Sequence, residues 1–229
     1  MQDFVYNPPI EPFLDILFED TEIMVVNKPS GLLSVPGRLP EHQDSIIKRI
    51  WQKYPLAMAS HRLDMDTSGI MVVGLNKEAI SSLGKLFEKK EVTKRYLAVV
   101  NGKIDEHGQI DLPIRCDLDN RPLQIVDHLQ GKKSLTIYDK CSEYEVAKNI
   151  DGTNTSIVKL TPVTGRSHQL RLHLASIGHP ILGDRFYSDE TIQAKAPRLC
   201  LHAYLLEFKH PKTQELLHFE VLPNFLKLL

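Results

Sequence analysis

The sequence has no long apolar run. None approaches the ~20 residues that a membrane-spanning helix needs. The first twenty residues, MQDFVYNPPIEPFLDILFED, lack both the basic start and the continuous apolar stretch of a secretory signal. A soluble, cytoplasmic protein is the expectation. Cysteine is scarce: Cys116, Cys141 and Cys200 are odd in number and far apart. With no C-x-x-C, neither a disulfide framework nor a zinc ribbon is indicated, and reduced thiols are expected. Charge of neither sign dominates, since 28 basic and 29 acidic residues leave a net charge of -1. That balance argues mildly against a nucleic-acid binder, whose domain pI often exceeds roughly 9. There is no internal repeat, low-complexity tract or Gly/Ser linker.

What is present is ordinary globular composition. The 229 residues, 42% hydrophobic and 25% charged, suffice for a sizeable core without staples. Residues 1–20 contain three prolines and read as an extended N-terminal arm ahead of one domain over 21–229. The β-branched run at 22–27 ends at Lys28-Pro29-Ser30-Gly31, which predicts a strand and a turn. Residues 44–54 have helical spacing, with Asp44 as a candidate N-cap. A buried strand is predicted over 70–75, an amphipathic helix over 77–90 and a strand over 95–100. Shorter strands follow near 108–112, 134–147 and 155–163. Ser167 to Ile177 reads as a helix with Leu170, Leu174 and Ile177 as its stripe, capped by Ser167 and ended by Gly178. Residues 198–209 and 216–221 read as a closing strand pair. Strands and helices mix without βαβ alternation, so the fold class is α+β with a mostly antiparallel sheet flanked by helices.

Three segments concentrate chemistry. His61-Arg62-Leu63-Asp64-Met65-Asp66-Thr67-Ser68-Gly69 leads into the strand at 70–75 and carries two carboxylates, a guanidinium and an imidazole. A loop at the entrance of a core strand is a rigid platform for side chains. Thr161 to His173 forms a strand end, a turn and a helix start, with Arg166 and Arg171 able to bind phosphate or pair with a carboxylate. Lys94-Arg95-Tyr96 places an aromatic among cations at a strand start.

Together these segments resemble one family. HRLDMDTSG at 61–69, KRYLAVV at 94–100 and GRSHQLRLH at 165–173 are similar to the three motifs of the RluA family of pseudouridine synthases. NKPSGLLSVPGR at 27–38, NRP at 120–122, HPILGDRFY at 179–187 and APRLCLHA at 196–203 extend the likeness over nearly the whole chain. The resemblance implies the pseudouridine synthase catalytic fold. With the catalytic motif beginning at residue 61, no S4-like RNA-binding domain is expected ahead of it. It implies isomerisation of uridine in structured RNA, namely stem-loops of large-subunit (23S-type) rRNA and of tRNA, without DNA, membrane or cofactor.

By the same resemblance Asp64, not Asp66, is the catalytic carboxylate. Arg166 pairs with it, and Tyr96 stacks on the base and helps remove the C5 proton. Arg62 fills the place of the flipped nucleotide, Leu170 packs on the uracil, and His61 and Arg171 join the substrate-binding set. A monomer is expected, as no apolar stripe is left over. Two other classes fit parts of the pattern. His61, Asp64, Asp66, His168, His173 and His202 supply enough donors for a metal hydrolase, yet His168 and His173 are five apart rather than four. A non-catalytic RNA-binding or chaperone protein fits the basic clusters alone. The same chemistry at another rRNA site is a third alternative.

Overall fold

The computed structural model describes residues 5–229; the first four residues of the arm lie outside the described residues. In chain order the strands and helices of the first part are β1 (Ile16–Glu19), β2 (Ile23–Lys28), α1 (Ile46–Ile50), β3 (Met58–Ala59), β4 (Ser68–Gly74), α2 (Lys77–Glu88) and β5 (Thr93–Asn101). They are followed by β6 (His107–Asp111), β7 (Ile114–Cys116), β8 (Gln124–Val126), β9 (Leu135–Cys141), β10 (Tyr144–Val146) and β11 (Thr155–Pro162). The remainder is α3 (Gln169–Ser176), α4 (Glu190–Gln193), β12 (Leu201–Lys209), β13 (Leu216–Glu220) and β14 (Leu226–Leu228). The chain forms two compact units. One comprises residues up to Lys94 with Ala203–Val221, the other Arg95–His202 with Leu222–Leu229.

The first unit is a sheet with a helix on each face. β2 runs antiparallel to β1 and β4, with Val25 opposite Val72, and β13 pairs with β12. Successive side chains of a strand point to opposite faces, and both faces here are apolar. Met24, Val26, Met71 and Val73 pack with Ile46, Ile47 and Ile50 of α1. Ile23, Val25, Ile70 and Val72 pack with Ala79 and Leu83 of α2. That two-sided burial explains why β2 and β4 read as continuous apolar runs rather than alternating ones.

Segment 16–19, read as part of an extended arm, joins the sheet as β1. The preceding residues are held by Arg49 of α1, whose guanidinium donates to the carbonyls of Pro9 (2.7 Å) and Phe13 (2.8 Å). Arg49 is also paired with Asp44 at 2.7 Å. Asp44 is thus not the N-cap of α1. Ser45 is, its Oγ accepting the Lys48 N–H at 3.2 Å.

The second unit contains an antiparallel sheet in the order β5, β11, β9, β6. Two small antiparallel pairs, β7 with β8 and β10 with β14, stand apart from it. Helix α3 packs on β8, β9 and β11. It is shorter than the predicted 167–177, and Ser167 does not cap it. His168 occupies the N-cap position in the left-handed region (φ 53°) without a side-chain cap. Gln169 to Leu174 are all buried, whereas Ile177 is 37% exposed and lies outside the stripe. Cys141 and Cys200 are buried and free, and burial pushes their thiols up to about 11 and about 12.

Candidate active site

In the first unit the segment bearing Asp64 is gripped through its backbone. The turn after β2 lies along residues 63–66 and satisfies the carbonyls of Leu63, Met65 and Asp66. Ser34 Oγ donates to Leu63 O (2.7 Å) and accepts the Leu63 N–H (3.1 Å). The Thr67 N–H closes on Asp64 O at 3.1 Å. Met65 O accepts both Lys28 Nζ and the Gly31 N–H, each at 2.9 Å. Ser30 Oγ donates to Asp66 O at 2.7 Å.

Lys28 is fully buried, and its ammonium also donates to Pro29 O and Leu32 O at 2.9 and 2.7 Å. Three carbonyl acceptors replace the water that a buried ammonium loses. At the far end, Gly69 has φ of 119°, and a Cβ there would lie 2.3 Å from Ala203 O. Only glycine lets the loop enter β4 at that point.

Exposure alternates along the motif. His61 is partly buried, Arg62 exposed, Leu63 buried and Asp64 partly buried. Arg62 is the exposed side chain of the four, and Asp64 keeps part of its surface in solvent. His61, read as substrate-binding, has another occupation: its Nε2 accepts the Val72 N–H at 3.1 Å, and its ring stacks on Phe87 at 4.6 Å. Burial, with the Lys94 charge adding, pushes its pKa down to about 3.

In the second unit Tyr96 lies on β5 opposite Leu160 and is partly buried. The turn 164–168 is organised by Gln169. Its Oε1 accepts the Arg166 N–H (3.1 Å) and Thr164 Oγ1 (2.7 Å), and its Nε2 donates to Leu135 O and Thr136 Oγ1 at 3.0 Å. The Arg166 guanidinium is exposed and reaches Lys133 O only at 3.4 Å. Leu170, 7% exposed, sits in the first turn of α3.

One expectation in this unit is corrected. Arg171 is 1% exposed and makes a bidentate pair with the fully buried Asp184, at 2.8 and 2.6 Å. Its planar face lies against Phe186 and Tyr187. A guanidinium so enclosed holds the 184–187 turn to α3 and presents nothing to a substrate. His173 is fully buried, wired to Thr136 Oγ1 and Leu112 O at 2.9 and 3.0 Å. His61, His168 and His173 all face protein partners. Among the described residues no group of three or more His, Cys, Asp or Glu is placed to hold a metal.

Lys28, Ser30, Ser34, Gln169 and Asp184 were not singled out from the sequence as site residues. Their spacing carries no periodic signal. Only the density of small and polar residues at 28–34 hinted at a turn.

The model of the RNA pseudouridylate synthase family matches residues 22–176. The dual-specificity RNA pseudouridine synthase RluA of Pasteurella multocida is 48% identical over 96% of this chain and 98% of its own length. That of Escherichia coli K12 is 51% identical at the same coverage. The solved human RNA pseudouridylate synthase domain containing 1 superposes with a TM-score of 0.75 at 31% identity, covering 97% of this chain and 86% of that one. The chain belongs to the RNA pseudouridylate synthase family, in its RluA group.

Proposed function

We propose that this pseudouridine synthase acts on uridines in stem-loops of both large-subunit rRNA and the tRNA anticodon arm, with Asp64 as its catalytic carboxylate. The dual-specificity names of relatives near half identity over almost the full chain support the substrate range. The observation that carries Asp64 is the grip on its loop. All four backbone carbonyls from Leu63 to Asp66 are hydrogen-bonded, so the carboxylate stands on a fixed base.

Uridine and pseudouridine contain the same atoms. The reaction breaks the C1′–N1 bond, turns the uracil and joins C1′ to C5, and the C5 proton leaves while N1 gains one. It balances without an oxidant, a reductant or water. Positive charge develops on the ribose as the glycosidic bond breaks, and a carboxylate stabilises or traps it. Asp64 takes that role.

Tyr96 stacks on the base and assists loss of the C5 proton, while Leu170 packs against the uracil. The target nucleotide must leave its stack, at a cost of a few kcal/mol, and the exposed Arg62 occupies the vacated place. The shape of the RNA loop selects the site.

The test uses purified protein with chelator and no added cofactor, incubated with tRNA transcripts and large-subunit rRNA fragments, and maps pseudouridine at nucleotide resolution. The expected result is new sites in both RNAs that vanish with Asp64→Ala. Sites in only one RNA would overturn dual use. Sites that persist with Asp64→Ala would overturn the assignment of the carboxylate.

A further inference from the structure

Strand β3 is only two residues long, and its ladder with β4 pairs Met58 with Gly74 and Ala59 with Val73. The next residue along β4 is Val72. Its N–H donates to Nε2 of His61, at 3.1 Å. A backbone N–H can only donate, so Nε2 is the unprotonated nitrogen and Nδ1 carries the hydrogen. One face of the same ring lies on Phe87 of α2, with centroids 4.6 Å apart and planes 22° from parallel. The imidazole thus stands in for the missing rung of the ladder and is clamped from above by the helix. Three residues later the chain presents Asp64. Between them Leu63 is fixed through both its N–H and its carbonyl by Ser34 Oγ.

We infer that His61 is the positioning residue for Asp64: its imidazole fixes where the motif departs from β4, and so where the carboxylate stands, without itself touching RNA. The inference rests on the assignment of Asp64 above. Anchors at 61 and 63 leave little freedom to the residues between and just beyond them. A carboxylate displaced by about 1 Å is enough to cost ~100-fold in rate. Protonation would remove the acceptor, and burial holds the pKa so low, about 3, that the lock persists wherever the RNA is stable.

Two variants test it. His61→Phe keeps the stacking on Phe87 and removes the acceptor, whereas His61→Gln offers an amide oxygen to the Val72 N–H. Rates of pseudouridine formation at saturating RNA are measured beside RNA affinity, thermal melting and hydrogen exchange of the 61–66 segment. His61→Phe is expected to lose about 10- to 100-fold in the saturated rate while its RNA affinity stays within about threefold. Exchange in 61–66 rises at least about tenfold while the rest of the chain is unchanged. His61→Gln recovers most of the rate and the protection.

An unchanged saturated rate overturns the inference. So does weaker RNA binding at an unchanged rate, which would make His61 a contact residue. Collapse of the melting transition in both variants would make it a folding residue and overturn the inference as well. Failure of the underlying reading shows separately, as wild type inactive on every RNA or as activity surviving in Asp64→Ala.

Discussion

A guanidinium and a carboxylate that are both out of water must satisfy each other, and Arg171 with Asp184 does so with two parallel bonds. Asp184 also accepts the N–H groups of Phe186 and Tyr187 at 2.9 and 3.3 Å. Removing one partner leaves the other charge buried and alone. Arg171→Ala is therefore expected to destabilise the protein by about 3–5 kcal/mol, read from denaturant midpoints. The double variant Arg171→Met with Asp184→Leu removes both charges and recovers part of the loss, though it orphans two backbone N–H groups. Under conditions where Arg171→Ala remains folded, its RNA affinity stays near that of wild type. A large fall in affinity with little loss of stability would restore the substrate contact that the sequence alone suggested. Arg166 is the contrasting case in the same motif. It is exposed, loosely held, and free to meet an anion.

Helix α3 shows what a sequence does and does not disclose. Its existence was legible from flanking punctuation, but its amphipathic stripe was not real, because the helix is buried over most of its surface. What holds it is a chain of polar groups running from helix to strand. Gln169 Nε2 donates to Thr136 Oγ1, that hydroxyl donates to His173 Nδ1, and His173 Nε2 donates to Leu112 O. The strands β2, β4, β5 and β11 were legible because their β-branched runs are buried on both faces. The β7–β8 hairpin was missed. Its seat is an Arg115–Asp127 pair rather than an apolar pattern.

Burial favours the neutral ring of His173 and depresses its pKa below the ordinary 6.5. The unfolded chain protonates near 6.5 while the folded ring resists. Stability is thus full above that value and falls as pH drops from about 6.5 toward the folded pKa, by at most about 1.4 kcal/mol per pH unit for each such group. His61, held down to about 3, adds to the same decline. The denaturant midpoint of wild type is expected to fall between pH 7.5 and 5. His173→Gln should start lower and decline less steeply. A variant that keeps the full slope would show that His173 titrates normally in the fold.

On the scale of the whole chain, near-neutrality and an RNA substrate are reconciled by where charge sits. The net charge is -1, so nothing global attracts a polyanion. Local placement must do it. Lys85, Lys89 and Lys90 are exposed at the C-terminal end of α2, where they also suit the helix dipole. Lys94 follows and is partly buried, its pKa lowered by that burial and by Lys90. If RNA phosphates lie on this face, each contact releases counterions and steepens the fall of affinity with salt. Replacing the three exposed lysines by glutamine should then flatten the log–log salt slope by about 2, at ~0.7 per phosphate contact. Phosphate contacts carry no sequence information, so rRNA and tRNA stem-loops should lose affinity to a similar extent. The saturated rate should not change, because none of the three residues touches the reacting atoms. An unaltered slope would place the RNA on another face of the protein. A loss confined to one RNA would mean that the α2 lysines read the shape of that stem-loop rather than its charge.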